Sequence, residues 1–213
     1  MRAMGAERYE VTVVNAKTRE ETIREWRAQD VETSVKWLKR MNAKGCDIFI
    51  RPLRGPELIL VDGLDPHELE RIRRIGLEPA AVIETAAGRF EAWVKLSDRP
   101  FPEELRQTAL SGLAGRFPRS GQPGRLSGFT NQQGERNRAG RQSYVLARET
   151  TGRVAPLGHH YLEAIKRLIR EHAAEQQRRA QVERDRQIEF ERQRLILSEK
   201  SVPVPSRDRG RSR

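Results

Sequence analysis

Across residues 1–150, apolar positions recur at a period of two in some stretches and near 3.6 in others, which predicts strands mixed with short helices. Residues 9–14 alternate as a half-buried strand does, and residues 22–26 read as its partner. Val31, Val35, Leu38 and Met41 fall on one side of a helix that Asp30 would cap, that runs through Lys44 and that Gly45 would close. Lys36, Lys39, Arg40 and Lys44 lie largely off that side. Residues 47–51 and 57–62 are strands separated by the turn Leu53-Arg54-Gly55-Pro56. Asp65, Pro66 and Glu68 occupy the N-cap, N1 and N3 places of a capping box, so a helix should run to about Ile75 and stop at Gly76. Residues 79–85 and 90–96 read as a hairpin around Ala86-Ala87-Gly88-Arg89, and a helix over 102–114 leads into a Gly/Pro/Arg-rich stretch, 115–141. Residues 143–148 are a last strand. Hairpins and helices in irregular alternation indicate an α+β domain built on a mixed or antiparallel sheet.

From about Leu157 the period changes. Tyr161, Ile165, Leu168 and Ile169 make a short apolar stripe suited to docking on the domain. Beyond His172 the pattern is polar, with pairs such as Glu175–Arg179 and Glu189–Arg192 at helix-supporting spacings. The expectation is a domain over 1–150, a long projecting helix over 157–199 and a disordered basic tail over 200–213. Ile188, Phe190, Leu195 and Leu197 would then be available to another chain.

Charge sharpens this picture. Forty-one Lys and Arg against 30 Asp and Glu give a net charge of +11. The surplus is shared: residues 1–150 carry 26 basic and 21 acidic side chains, and residues 151–213 carry 15 and 9. Such a surface draws polyanions by releasing their counterions, and nucleic acid is the commonest of these; a solvated basic surface is the bland alternative. The lone Cys46 excludes an internal disulfide. No apolar run is long enough for a membrane span, and residues 1–10 have no signal-like core, so the expected location is the cytoplasm, with no membrane partner. The four histidines show no zinc-ligand spacing.

Three segments could carry chemistry. The strand Leu58-Ile59-Leu60-Val61-Asp62 would hold a carboxylate at a sheet margin, a way to place Mg²⁺ beside a triphosphate, or Asp62 could simply end the strand. Asp65 is accounted for by its capping box. Trp93 and Lys95 could meet a base and a phosphate, or belong to the core and to a solvated face; Val82, Glu84 and Glu91 could share their surroundings, depending on register. In Gly124-Arg125-Leu126-Ser127-Gly128-Phe129-Thr130-Asn131, followed by Arg136, Arg138 and Arg141, glycines allow close backbone approach and arginines suit phosphate; a flexible basic loop explains the residues equally well.

Taken in order, Arg24-Glu25-Trp26, residues 37–43 (WLKRMNA), residues 47–52 (DIFIRP), Leu60-Val61-Asp62, Val82-Ile83-Glu84-Thr85, Ala92-Trp93-Val94-Lys95 and the Gly124–Asn131 segment resemble RepB-like DNA primase domains of the archaeo-eukaryotic primase superfamily. The resemblance implies Arg51, Trp93, Lys95, Arg125 and Asn131 as nucleic-acid or nucleotide contacts, and Asp62 as a catalytic metal ligand for Mg²⁺ or Mn²⁺. It also implies three metal-binding aspartates, a tandem pair and one shortly before the Gly-Arg-Leu segment. Here the second position is Gly63, and residues 115–120 hold no carboxylate; Asp65 and Glu84 are the nearby replacements. The resulting expectation is a primase-fold protein of plasmid or mobile-element replication that binds single-stranded DNA with impaired catalysis. The alternatives are an active primase that takes nucleotides, and an adaptor whose C-terminal helix recruits a relaxase or replication protein.

Overall fold

Strand β1 (Arg8–Asn15) buries Tyr9, Val11 and Val13 on one face and carries Glu10, Thr12 and Val14 on the other, the alternation that the pleat imposes. It lies in the middle of the sheet order β2-β1-β3-β7, where β2 is Glu21–Arg27, β3 Cys46–Arg54 and β7 Gly124–Arg125. A second sheet has the order β4-β6-β5-β8, with β4 Glu57–Leu64, β5 Ala81–Ala86, β6 Arg89–Ser97 and β8 Leu146–Glu149. All the strand pairings among the described residues are antiparallel. The structure, a computed structural model, describes residues 1–114, 123–134 and 140–200. The expectations for residues 115–120, Arg136, Arg138 and the tail 201–213 lie outside the described residues.

The main core joins the two sheets. Tyr9, Val11, Val13, Ile48 and Ile50 of the first sheet meet Leu60, Ala81, Ile83 and Trp93 of the second, with Val31 and Leu38 closing one side. The opposite parity of the second sheet, Ile59, Val61, Val82 and Val94, is also buried, and α3 (Pro66–Arg74) lies against β4 and β6 with Leu69 and Ile72 inward. Removing a side chain such as Leu38, fully buried, would cost about 2–5 kcal/mol.

The helix expected over 30–44 is two helices, α1 (Ala28–Thr33) and α2 (Val35–Ala43). Asp30 is not the N-cap; it lies inside α1 and accepts the Arg27 N–H at 3.2 Å. The break falls at Ser34, after the Thr33 hydroxyl has bonded back to the Asp30 carbonyl, the local competition that makes Ser and Thr poor helix interiors. The capping box at Asp65 forms as expected, with Glu68 N–H donating to Asp65 Oδ1 at 2.7 Å and Asp65 N–H to Glu68 Oε2 at 3.0 Å.

After α4 (Glu103–Ala114) and β7, the chain turns back on itself: Thr130 and Tyr144 form an isolated bridge, and Val145 N–H donates to Phe129 O. Helix α5 runs from Gly158 to Lys200, and the chain divides within it into two units, Met1–Lys166 and Arg167–Arg213. In the first unit Leu162 and Ile165 are buried; Leu168, expected in the docking stripe, is exposed at the start of the second. In the second, Val182, Ile188 and Phe190 are all exposed. Among the described residues no helix is long and apolar enough to cross a membrane.

Candidate functional site

The face of the first sheet turned away from the core forms one wall of a cleft of about 1000 Å³. Strand parity decides what stands there: Thr12 and Val14 from β1, Ile23 from β2 and Phe49 from β3. The second sheet contributes Asp62, Gly63 and Glu91, and the returning loop contributes Arg125 and Asn131. The structure therefore brings Asp62 and the Gly-Arg-Leu segment together on one cleft.

Arg125 is fixed at both ends of the residue. Its backbone N–H donates to Glu91 Oε2 at 2.7 Å. Its guanidinium lies over the Phe49 ring, 4.8 Å from the centroid, and donates to Asp47 Oδ1 at 2.6 Å. Asp47 is fully buried, also accepts the Gln132 N–H, and leaves Oδ2 without a partner among the described residues. A glycine must precede this arginine. A Cβ on residue 124 would stand 2.8 Å from Trp93 Cζ2 and 3.0 Å from Glu91 Oε2, so only a bare backbone lets β7 settle there.

Glu91 is the residue that sequence reasoning undervalued. It is 4% exposed and opposite Ile83, and β4 passes on the other side of β6 with Val61 against Ala92. Burial and the nearby Asp62 charge push its carboxyl up to about 8, against the opposing pull of Arg125. Asp62 Oδ1 accepts the Gly63 N–H at 2.5 Å. The carboxylates expected to stand in for missing ligands are elsewhere: Asp65 caps α3, and Glu84 is on the other face of β5, paired with Arg148. The signal for Glu91 was the register of the β5–β6 hairpin, which no single-strand pattern fixes.

The other expected contacts separate. Trp93 is 3% exposed and packed in the core under Gly124, so its indole supports β7 rather than offering a face to a base. Arg51 is paired with its cross-strand neighbour Glu10 at 2.7 Å and, with Trp93, borders a different cavity of about 260 Å³. Lys95 is buried and paired with Asp98 at 2.6 Å, outside the cleft. Asn131 lines the cleft, but its side chain is occupied, donating to Thr85 O and accepting the Gln133 and Gly134 N–H groups.

A two-cation centre requires several oxygen ligands of fixed geometry. The described residues do not fit one. Gly63 stands at the second position of the expected aspartate pair in a left-handed conformation, φ +73°, that disfavours most side chains. Asp62 and the buried Glu91 are the two carboxylates of the cleft's second-sheet margin, and no group of three or more His, Cys, Asp or Glu suited to a metal occurs among the described residues.

The comparisons agree with this architecture. Residues 1–169 match the family described as the RepB DNA-primase N-terminal domain. The chain is 39% identical over 189 residues to Mobilization protein A of Escherichia coli, covering 84% of this chain and 26% of that protein. It is 31% identical over 107 residues to a DNA primase of Acidithiobacillus ferrooxidans, covering 45% of this chain and 30% of that protein. It thus spans less than a third of each of these curated relatives. Among solved structures, primase RepB′ superposes with a TM-score of 0.77 at 36% identity, covering 90% of this chain and 66% of that one. The catalytic domain of primase RepB′ in complex with initiator DNA superposes with a TM-score of 0.74 at 35% identity, covering 82% and 94%. Since the family match takes in both sheets, the cleft and the start of α5, this chain belongs to the RepB DNA-primase N-terminal domain family.

Proposed function

We propose that this chain is a primase-fold protein of plasmid or mobile-element replication and mobilisation, acting in the cytoplasm, that binds single-stranded DNA and is impaired in primer synthesis. The observation that carries the reading is the likeness, over nearly the whole of its partner in the comparison, to a RepB′ catalytic domain complexed with initiator DNA. Arg125, held over Phe49 beside the Asp62 margin, supports it by offering a cation and an aromatic ring in one cleft. The impairment rests on Gly63 in a left-handed conformation and on the lack, among the described residues, of any cluster of three or more carboxylate, His or Cys side chains placed to share a cation.

The test is fluorescence anisotropy with labelled single-stranded DNA across a salt series, together with primer synthesis on a single-stranded template. The expected result is binding that weakens steeply with salt and primer synthesis at background with Mg²⁺ or Mn²⁺. Binding that is absent or indifferent to salt would overturn the DNA reading, and template-dependent primers would overturn the impairment. One observation favours a second reading, an active primase that takes nucleotides with Mg²⁺ or Mn²⁺: Glu91 adds a carboxylate near Asp62. Under that reading primer synthesis is lost in both Asp62→Ala and Glu91→Gln.

A further inference from the structure

We infer that single-stranded DNA has a second contact on this protein, on the face of the first sheet opposite the cleft, formed by Arg24, Trp26 and helix α2. It rests on the DNA-binding reading above and adds a surface that the cleft does not contain.

The argument starts from a deficit. Among the described residues the cleft is lined by three arginines, Arg19, Arg89 and Arg125, and by the acidic side chains Glu10, Glu21, Asp62 and the buried Glu91, and Arg125 is already paired with Asp47. A wall so balanced gives little net attraction for a polyphosphate strand. Among the described residues, unpaired positive charge gathers elsewhere.

It is concentrated on α2. Residues 35–44 contain Lys36, Lys39, Arg40 and Lys44 and no acidic side chain. All four are exposed, and none makes an ion pair among the described residues. Lys36, Lys39 and Arg40, at spacings of three and four, share one side of the helix. The neighbouring acids are engaged: Glu25 pairs with Arg8, Glu32 with Arg2, and Asp30 accepts the Arg27 N–H.

Beside the helix stands an aromatic pair. Trp26 and Trp37, both half-buried, meet edge to face with ring centroids 5.9 Å apart. The exposed Arg24 guanidinium lies 5.3 Å from the Trp37 centroid and 6.0 Å from that of Trp26. Indoles hold a guanidinium without neutralising it, so its charge stays available to a phosphate, whereas a carboxylate partner would cancel it.

The path between the two contacts is the edge strand β2. Its register with β1 sets Ile23 opposite Thr12, on the cleft face, and Arg24 and Trp26 opposite Val11 and Tyr9, on the other. Ile23 is 58% exposed and lines the cleft. Successive residues of one strand therefore belong to both surfaces, and a strand of DNA leaving the cleft over this edge reaches Arg24 and then α2. Helix α2 is about 14 Å long, enough to follow more than one phosphate.

The experiment compares wild type with Lys36→Gln/Lys39→Gln/Arg40→Gln and with Arg24→Gln, using labelled single-stranded oligonucleotides of about 6 and about 20 nucleotides across a salt series. Thermal midpoints within a few degrees of wild type establish that the exposed substitutions leave the fold intact. The expected result is that the triple variant binds the long oligonucleotide tenfold or more weakly at low salt. Its log–log salt slope falls by about 2, three lost phosphate contacts at roughly 0.7 each. Arg24→Gln gives a smaller loss, and the short oligonucleotide binds all three proteins alike. An unchanged long-oligonucleotide slope in the triple variant overturns the second contact while leaving cleft binding in place. Equal losses for both lengths overturn it too, because α2 would then belong to the cleft site. Wild type that binds neither oligonucleotide overturns the DNA-binding reading itself.

Discussion

Arg125 donates its backbone N–H to Glu91 Oε2 at 2.7 Å, so a buried carboxylate on β6 anchors the short strand whose side chain reaches into the cleft. Backbone placement and guanidinium placement are therefore held by different acids, Glu91 and Asp47, and substitutions can separate them.

Arg125→Ala leaves Asp47 as an uncompensated charge in a fully buried position, and breaking such a pair costs about 3–5 kcal/mol. Adding Asp47→Asn should restore much of that stability without restoring the cleft cation. Urea denaturation and DNA titration together check this: stability recovers in the double variant and affinity for single-stranded DNA does not.

Gly124→Ala pushes a methyl group to 2.8 Å from Trp93 Cζ2 in a core with no slack on that side. The expected cost is about 1–3 kcal/mol, read from the urea midpoint. Gly124→Ala in a Trp93→Phe background should cost less relative to its own parent, since the clashing indole atom is gone.

Glu91 sets a pH dependence. Its carboxyl is higher in the folded chain, about 8, than its ordinary value of 4.5. Between these two values the native state holds a proton that the unfolded state has released, so stability falls as pH rises through that window, by at most about 1.4 kcal/mol per pH unit. With chelator present, the thermal midpoint of wild type should fall more between pH 5.5 and pH 8 than that of Glu91→Gln, which keeps an acceptor for the Arg125 amide and cannot ionise. Parallel profiles for the two proteins would reject the assignment.

Asp65 is a helix cap. Asp65→Ala should lower stability by about 1 kcal/mol, measured by denaturation, while single-stranded DNA affinity stays at the wild-type value.

Much of the architecture was legible because local patterns decide it. The alternation of residues 9–14, the Asp65-Pro66-Glu68 start and the Ala87-Gly88 hairpin each specify an element without outside help. What one stretch cannot carry is the relation between stretches. Trp93 looks the same in sequence whether it faces DNA or lies beneath Gly124. Lys95 and Arg51 read as free cations until Asp98 and Glu10 are seen beside them. The break at Ser34 turned one expected helix into two, since the back-bond of the Thr33 hydroxyl to the Asp30 carbonyl ends the first helix locally despite the continuing apolar period. Asp62 and Arg125 line one cleft, but Glu91 and Asp47, which hold Arg125 in place, became visible only once strand register was known.

Neighbouring strands together make this acid site. Glu91 on β6 stands close enough to Asp62 on β4 for the two charges to feel each other, although 28 positions of chain lie between them. The acid content of the cleft is therefore set by which strands lie side by side, and a linear segment that ends at Asp62 accounts for only part of it. Shifting the β4–β6 pairing by one residue would turn Glu91 away from Asp62 without changing a letter of either strand.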